Sequence, residues 1–487
     1  MDQDRPNYAW RPVSVTAVAA AILLAVTATG YGYHRDELYF RMLSRHLALG
    51  YVDQPPMTPF LVRVFTDAFG DNLFALRIPA ILSLVITLFI VAAIARELGG
   101  GPAAQLISAV GTVAPFPLIA GHVLLTASPD MVFWTLTILF IVRALLRNEP
   151  RWWLWAGLVV GVALWNKQLI VLLLLGLLGG LLISGPRSVF RHWQLWAGIG
   201  IAVVVAAPTI IWQATNHWPE LTMAKAISQD KGGDDRTLFI PFQIILLGAM
   251  VYVWIRGLIA MFRRPEWRPV RSLAWAYPVV AVIVLASGGQ IYYTFGLLAL
   301  YLAAGAVALF PRGLRYVFWL VLPTVVIGAL IALPIVPLGS LGDSHIGDLN
   351  QTARDSVGWP AYVAEVGRAY QAIPADQRAV TGLIAGNYGE AGALDKFGSR
   401  YHLPPVHSGL NQLYFYGPPP ESDTNALLVG HDADDPLEHV GFASCQIVGT
   451  LDNNVGVDNE EQGRQILYCT GRSMPWSAIW PTYQHYG

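Results

Sequence analysis

The sequence predicts a mainly α-helical, polytopic membrane protein with about 11 transmembrane helices and a C-terminal extracytoplasmic α/β domain. Of its 487 residues, 54% are hydrophobic and 13% are charged, and the mean hydropathy is +0.47. Soluble domains carry roughly 25% charged residues. Apolar runs of about 17 to 25 residues, the length that crosses a bilayer, recur up to residue 338. Beyond that point charge, Asn, Asp and Gly rise, and no run is long enough to span.

The predicted membrane helices are apolar runs bounded by charges or by Gly and Pro. No small-residue cleavage site follows the first run, which leads into a charged loop, so we expect a retained helix and not a removed signal peptide. The short segments on either side of Asn166 and Lys167 could form a broken or re-entrant element. The segments lie near 13–31, 74–95, 103–125, 130–147, 152–166, 168–185, 195–213, 239–262, 273–287, 291–310 and 315–338.

The positions of the arginines predict the orientation of the chain in the membrane. Arginines precede the first span and recur in alternate loops, whereas the loops near 126–130 and 288–291 contain neither Lys nor Arg. This positive-inside pattern predicts a multi-pass protein of the cytoplasmic membrane with a cytoplasmic N-terminus. An odd number of spans then leaves the tail outside. The predicted domains are a transmembrane domain over 1–338, with an outer loop at 32–73, and a soluble α/β domain over 339–487.

The loop at 32–73 is unusually rich in ionisable residues for so apolar a chain. In the predicted topology, its acids share the outer face with polar residues of later loops. Charged groups within a membrane protein are costly and are typically functional, so this set predicts an outward-facing polar cavity for an anionic or sugar-like ligand. The side chains assigned to that cavity are Asp36, Glu37, Asp53, Asp130, Lys167, Gln290, Tyr292 and Tyr293.

The tail alternates β-prone apolar runs with helix-like stretches. Runs at 379–384, 426–430 and 444–448 favour strands, and 359–373 and 388–398 favour helices. The chain has two cysteines, Cys445 and Cys469, and an extracytoplasmic location permits a disulfide between them. Two buried free thiols are the alternative.

Several motifs together resemble a known group, the GT-C glycosyltransferases of the protein O-mannosyltransferase and aminoarabinose-transferase type (glycosyltransferase family 39). They are Arg35-Asp36-Glu37-Leu38-Tyr39, Asp53-Gln54-Pro55-Pro56, Ser128-Pro129-Asp130, Ala163-Leu164-Trp165-Asn166-Lys167-Gln168, Gln290-Ile291-Tyr292-Tyr293 and the tail run Asn387-Tyr388-Gly389-Glu390-Ala391-Gly392-Ala393-Leu394. The resemblance implies a GT-C fold for residues 1–338. It also implies an integral-membrane enzyme that moves a sugar from a polyprenyl-phosphate carrier to a glycan, lipid or protein acceptor outside the cytoplasmic membrane, with inversion.

Such a transfer needs a base, because an acceptor hydroxyl is a poor nucleophile until a carboxylate takes its proton. Asp36 matches the position that the family uses for this base, and Glu37 is the second catalytic candidate. Either acid could instead cap the helix that follows, since acids favour helix N-termini. Asp53 and Asp130 could orient substrate hydroxyls or could also be helix caps.

The leaving group is a lipid phosphate, whose developing charge needs a cation or oriented donors. Lys167 lies between two apolar runs and is assigned to that phosphate, the alternative being a lysine that snorkels to the interface. Gln290, Tyr292 and Tyr293 could donate to the same phosphate, although an interfacial aromatic belt also explains the tyrosines. Some relatives carry Lys where Gln290 stands.

No cofactor is required by the sequence. The acids Asp36, Glu37 and Asp53 would suit a divalent cation such as Mg²⁺ or Mn²⁺, but no ligand spacing demands one, so no metal site is assigned. The charge balance gives no reason to expect nucleic acid as a partner; membrane lipids and the lipid-linked sugar are the expected partners.

The main alternative to a glycosyltransferase is a transporter or flippase of a polar or lipid-linked substrate. It is less favoured because transporters typically contain two similar halves, and the sequence has no internal repeat.

Overall fold

The computed structural model describes residues 5–230, 232–309, 314–434 and 440–487. The chain divides into two compact units. We call the first the helical unit (Met1–Ala28, Gln54–Thr58 and Arg77–Leu333) and the second the mixed unit (Thr29–Asp53, Pro59–Leu76 and Pro334–Gly487). The predicted outer loop is thus divided, and most of it belongs to the same unit as the tail.

The α-helices are numbered in chain order. They are α1 (Trp10–Thr27), α2 (Arg35–Leu43), α3 (Met57–Phe69), α4 (Leu73–Glu97), α5 (Pro102–Gly111), α6 (Pro115–His122), α7 (Ala127–Leu146), α8 (Trp152–Ala163), α9 (Ile170–Ser184), α10 (Trp193–Thr215), α11 (Pro219–Asp230), α12 (Gly232–Leu247), α13 (Val251–Arg263), α14 (Arg271–Ser287), α15 (Phe295–Leu309), α16 (Leu314–Ala332), α17 (Ile346–Leu349), α18 (Gln351–Arg354), α19 (Trp359–Ala372), α20 (Ala375–Arg378), α21 (Tyr388–Phe397) and α22 (Trp476–Ile479).

The helical unit contains the membrane-spanning helices. In the described part of the chain, five helices are long and apolar enough to cross a bilayer. Two further pairs, α5 with α6 and Arg236–Ile245 with Gly248–Arg263, are long and apolar enough only when taken together, and the two helices of each pair meet at a sharp bend. Shorter apolar helices lie at Trp152–Ala163, Ile170–Ser184, Phe295–Leu309 and Trp319–Ala332. The chain is therefore a multi-pass membrane protein, as predicted.

Small residues allow the membrane helices to approach closely, which is a common way to pack helices in lipid. The clearest case is the crossing of α13 and α15. A Cβ atom added to Gly257 would lie 1.8 Å from the Tyr301 carbonyl oxygen, and one added to Gly305 would lie 1.9 Å from the Val253 carbonyl oxygen. Neither position can hold a larger residue without separating the two helices.

The mixed unit contains one five-stranded sheet, formed by β1 (Thr381–Ala385), β2 (Val406–Ser408), β3 (Asn425–His431), β4 (Phe442–Thr450) and β5 (Gln465–Arg472). The strand order is β2-β1-β3-β5-β4, with β1 parallel to β2 and β3, and β5 antiparallel to β3 and β4. Ile384, Leu428, Leu467, Trp476 and Ile479 form its buried core. The predicted α/β character of the tail is confirmed, including the helices near 359–373 and 388–398.

Two features of this sheet concern the sequence predictions. Strands β2 and β5 were not predicted, because β2 is only three residues long and β5 contains polar residues between its apolar ones. Cys445 on β4 and Cys469 on β5 are directly opposite in the antiparallel register and form a disulfide bond.

Candidate functional site

Helix α2 begins in the acidic loop, and Glu37 takes part in its N-terminal cap. The His34 imidazole Nδ1 accepts a hydrogen bond from the Asp36 backbone N–H at 3.1 Å, and the Glu37 carboxylate accepts one from the His34 N–H at 2.8 Å. Glu37 is fully buried. Such reciprocal bonds satisfy donors that a helix start otherwise leaves unpaired. The sequence left Glu37 as either a catalytic carboxylate or a helix cap, and its contacts in the structure are those of a helix cap.

Unlike the buried Glu37, Asp36 lies partly at the surface. It is half-exposed, and its Oδ1 atom accepts a hydrogen bond of 3.1 Å from the Tyr388 hydroxyl. Among the described residues no other hydrogen bond reaches this carboxylate. Burial, followed by the charge of Asp36, raises the pKa of Tyr388 well above its usual value, so the phenol stays protonated as a donor. Asp36 is thus held at one oxygen while the other can accept a proton.

Tyr388 reaches Asp36 because helix α21 packs closely on α2. Asn387 and Glu390 form the capping box that begins α21: the Glu390 N–H donates to Asn387 Oδ1, and the Asn387 N–H donates to Glu390 Oε2. One turn further on, a Cβ atom added to Gly392 would lie 2.6 Å from the Cβ of Leu38 on α2. The tail motif singled out in the sequence is therefore a cap followed by a close helix crossing.

Asp53 is connected to the same region of the mixed unit through Tyr39. The Tyr39 hydroxyl donates to Asp53 Oδ1 at 2.9 Å and accepts from the Gln412 N–H at 3.2 Å, and its ring lies 4.9 Å from that of Tyr388. Burial raises the pKa of Asp53 to about 7, although the Tyr39 hydrogen bond lowers it; the charge of Asp36 raises it by a smaller amount. Asp53 can therefore hold or release a proton near neutral pH.

Arg35 holds the other side of Tyr388. Its guanidinium lies 5.1 Å from the Tyr388 ring centroid, forms an ion pair with Glu460 and lies 3.3 Å from Glu461 Oε1. Burial raises the pKa of Asp355, whose carboxylate is also near Arg35, to about 7. Sequence reasoning missed these partners because they lie more than 300 residues from Arg35 in the chain, and no local pattern marks them.

Lys167 occupies the break between α8 and α9 in the helical unit. Its ammonium donates a long hydrogen bond of 3.4 Å to the Tyr292 hydroxyl and lies 5.1 Å and 5.5 Å from the ring centroids of Tyr292 and Tyr293. The adjacent Asn166 fixes the break, because its amide donates to the Thr126 carbonyl at 2.8 Å. The structure thus brings together three of the predicted site residues.

Asp130 lies beside this group in a partly open pocket. The space between atoms in the pocket is about 320 Å³, including solvent at its mouth, and five of its ten lining residues are aromatic. Asp130 is close enough to interact electrostatically with Lys167. The lining residues are Phe116, Ala127, Asp130, Met131, Trp134, Leu169, Tyr292, Tyr293, Phe295 and Gly296. Such a pocket can hold a polar group between aromatic faces beside a cation.

One sequence assignment, Gln290, gains no contact in the structure, and the acids that would suit a divalent cation do not lie together. Gln290 is half-buried, but its side chain forms no hydrogen bond with another described residue, so its role rests on sequence position alone. The three acids considered for a divalent cation, Asp36, Glu37 and Asp53, are not gathered into a ligand set. In the described ranges no group of three or more His, Cys, Asp or Glu side chains could hold a metal ion.

Residues 53–212 match the family described as dolichyl-phosphate-mannose-protein mannosyltransferase. The chain is 26% identical over 275 residues to undecaprenyl phosphate-alpha-4-amino-4-deoxy-L-arabinose arabinosyl transferase 1 of Pseudomonas fluorescens, a match that covers 51% of this chain and 46% of the relative. It is 24% identical over 307 residues to the lipid A galacturonosyltransferase RgtD of Rhizobium johnstonii, covering 58% of this chain and 62% of the relative. The matches to the arabinosyl transferases thus span less than half of those proteins.

The fold is similar to that of solved structures over a much larger part of the chain. The crystal structure of ArnT from Cupriavidus metallidurans bound to undecaprenyl phosphate superposes with a TM-score of 0.64 at 15% identity, covering 94% of this chain and 97% of that one. The structure of the same protein in the apo state gives a TM-score of 0.63. Together with the motifs above, these likenesses agree with the resemblance read from the sequence: the chain is similar to membrane glycosyltransferases of the aminoarabinose-transferase type and has their fold.

Proposed function

We propose that the chain is an integral-membrane glycosyltransferase that moves a sugar, with inversion, from a polyprenyl-phosphate carrier to an acceptor at the outer face of the cytoplasmic membrane. The observation that carries the proposal is the contrast between Asp36 and Glu37. Glu37 is buried in a helix cap, whereas Asp36 is held at one oxygen by Tyr388 and is half-exposed. This arrangement supports Asp36 as the base, because a base must present an unoccupied oxygen to the hydroxyl.

The carrier phosphate is assigned to Lys167 with Tyr292 and Tyr293. An ammonium group close to two phenols offers charge and hydrogen-bond donors to the phosphate oxygens, on which negative charge develops as the glycosidic bond breaks. Asp130, beside Lys167 in the aromatic pocket, is assigned to substrate hydroxyls. Gln290 remains a candidate donor on sequence grounds. Asp53, with its pKa near 7, is assigned to the acceptor side together with Asp36.

The acceptor is a glycan, lipid or protein exposed at the outer membrane face. The relatives named above act on undecaprenyl-phosphate-linked aminoarabinose and on lipid A, and these names favour a lipid or lipid-linked glycan as acceptor. No metal is included in the proposed mechanism, because the chemistry is complete with a carboxylate base and a cationic phosphate site.

We propose an eleven-span topology with a cytoplasmic N-terminus and an outer mixed unit. Each of the eleven predicted segments overlaps one long helix, one bent pair or one shorter apolar helix of the structure. Ion pairs join Arg5, Arg96, Arg143 and Arg147 to Glu97, which supports a common side for the start of α1 and the ends of α4 and α7. That side is the one the positive-inside rule assigns to the cytoplasm.

The test is mass spectrometry of lipids that co-purify with the full-length protein, followed by transfer in vesicles. Wild-type protein should retain a polyprenyl phosphate or its sugar-linked form, and Lys167→Ala should lose it while remaining folded. Lys167→Arg should retain part of the binding, since a guanidinium differs in shape from an ammonium. In vesicles, label should pass from the carrier-linked sugar to the acceptor. Movement of the labelled lipid across the bilayer without transfer would contradict the proposal and favour a flippase.

A further inference from the structure

One face of helix α7 forms a large part of the pocket beside Lys167. Four of its residues line the pocket at the spacing i, i+3, i+4 and i+7, which places their side chains in one row along the helix. They are Ala127, Asp130, Met131 and Trp134. At about 1.5 Å per residue, the row extends for about 10 Å along the helix axis. The α7 side of the pocket therefore ends at Trp134, whose side chain is the largest of the four.

A glycine on the neighbouring helix allows the Trp134 indole to lie where it does. Helices α7 and α15 pack against each other, and Gly296, near the start of α15, also lines the pocket. A Cβ atom added to Gly296 would lie 2.4 Å from Cδ2 and Cε3 of Trp134 and 2.6 Å from its Cγ. These distances are too short for real atoms. Any side chain at position 296 would therefore displace the indole or separate the two helices.

The surrounding core leaves the indole little room to move away from the pocket. Trp134 is only 2% exposed and belongs to the large buried cluster of the helical unit, which also contains Ile138 and Leu297. Protein interiors are close-packed, whereas the pocket is open space beside the ring. A methyl group at position 296 should therefore move the indole towards the pocket and not into the core.

The polar groups near Trp134 indicate which part of a donor this ring would face. The indole is close enough to Asp130 to interact with its carboxylate, and Asp130 in turn interacts with Lys167. Lys167 is assigned to the carrier phosphate and Asp130 to substrate hydroxyls. A sugar bonded to that phosphate would present its hydroxyls to Asp130 and would meet the Trp134 ring next to them.

We propose that Trp134, held by Gly296, sets the size of the sugar that the donor pocket accepts. This inference rests on the proposed function, because it takes the pocket as the sugar site of a carrier-linked donor. The space of about 320 Å³ includes solvent at the mouth and lies at the lower end of the range of about 300–1,000 Å³ for ligand pockets. In so small a pocket, the hydroxymethyl group that distinguishes a hexose from a pentose changes the fit.

The test compares two synthetic donors on the full-length protein, a polyprenyl phosphate that carries arabinopyranose, a pentose, and one that carries mannopyranose, a hexose. Native mass spectrometry gives the ratio of their dissociation constants, and transfer in vesicles gives the ratio of their kcat/KM values. Gly296→Ala should shift both ratios about tenfold in favour of the pentose, which is the smaller effect expected of one methylene group in an apolar pocket. Trp134→Phe should shift them towards the hexose. Binding of undecaprenyl phosphate without a sugar should stay as in the wild type, because Lys167 is unchanged.

Two matched variants outside the pocket serve as controls and should keep the wild-type ratios. Trp155→Phe changes an indole that is 53% exposed, and Gly200→Ala adds an atom with nothing within 4 Å of it. Wild-type ratios in both Gly296→Ala and Trp134→Phe would overturn the inference. If Gly296→Ala does not fold, the ratios of Trp134→Phe decide the question. An equal loss of both donors and of the bare carrier would show a purely structural role and would also overturn it.

The binding and transfer ratios separate this inference from the proposed function. A shift in the binding ratio, in a protein whose wild type transfers neither sugar, would support the role of Trp134 and contradict the proposed transferase. Normal transfer by all variants with unchanged ratios would support the transferase and overturn the role of Trp134.

Discussion

At the scale of the residue, the adjacent acids Asp36 and Glu37 form different contacts. Asp36→Asn keeps the size of the side chain and can still accept from Tyr388, but it cannot take a proton. We expect turnover to fall by roughly 10²-fold or more while carrier binding survives. Glu37→Gln is the matched control: it should lower the thermal stability of the protein more than its turnover, since it weakens the cap of α2. Both are measured as sugar transfer and carrier binding on the same reconstituted protein.

A different ranking of these two variants would identify a different base. If Asp36→Asn kept near-normal transfer, Asp36 would be excluded, and Asp53 would become the next candidate because its pKa lies near 7. Glu37 would follow only if Glu37→Gln lost activity without losing stability. The hydrogen bond to Asp36 comes from a helix about 350 residues away in the chain, so the sequence could rank Asp36 before Glu37 only through the family resemblance.

At the scale of the element, the crossing of α2 and α21 determines where Tyr388 lies. Gly392→Ala would place a methyl group 2.6 Å from Leu38 Cβ. Overpacking of this kind typically costs about 1–3 kcal/mol, and separation of the helices would also withdraw Tyr388 from Asp36. We expect a lower midpoint of thermal unfolding together with reduced turnover. Gly200→Ala in α10 is the control, because nothing lies within 4 Å of the added atom; an equal effect of both variants would argue against a special role of this crossing.

At the scale of the whole molecule, buried acids make the mixed unit sensitive to pH. Burial raises the pKa of Glu390 to about 8, and the pKa values of Asp53 and Asp355 to about 7. Because their pKa values in an unfolded chain are near 4, the folded state binds more protons between about pH 4 and pH 8. The free energy of unfolding should therefore fall as pH rises through that window.

Glu390→Gln should make this decline shallower, because it removes one of the three titrating groups. Amide hydrogen exchange of β1 and β3 in the full-length protein, followed from pH 5 to pH 8, measures the effect. Asp458→Asn, at an exposed carboxylate of the same unit, is the control and should leave the slope as in the wild type. A wild-type stability that rises across this range would contradict the assignment of protons to the buried acids.

The proposed topology is tested on the whole chain by labelling single cysteines from outside intact cells. Cys445 and Cys469 are joined in a disulfide, so an added thiol is the reactive one. Asp458→Cys should react with a membrane-impermeant reagent, whereas Glu149→Cys should react only after the membrane is opened. Labelling of Glu149→Cys in intact cells would reverse the proposed orientation.

The sequence by itself determined the class of the molecule. Apolar runs of membrane-spanning length, alternating arginine-rich loops and the change of composition at Gly339 predict a multi-pass protein with an α/β tail, because bilayer thickness and burial act on each segment locally. The acids of the first loop and Lys167 could likewise be recognised as costly residues that need a role.

Only the tertiary structure decided which contacts those residues form. It joined Asp36 to Tyr388, Asp53 to Tyr39, and Lys167 to Tyr292, and it placed Glu37 in a helix cap. It also divided the acidic loop between two units and gathered four arginines around Glu97. These relations depend on contacts between residues tens to hundreds of positions apart. Local pattern determines which segments fold as helix or strand, but long-range packing determines which side chains meet.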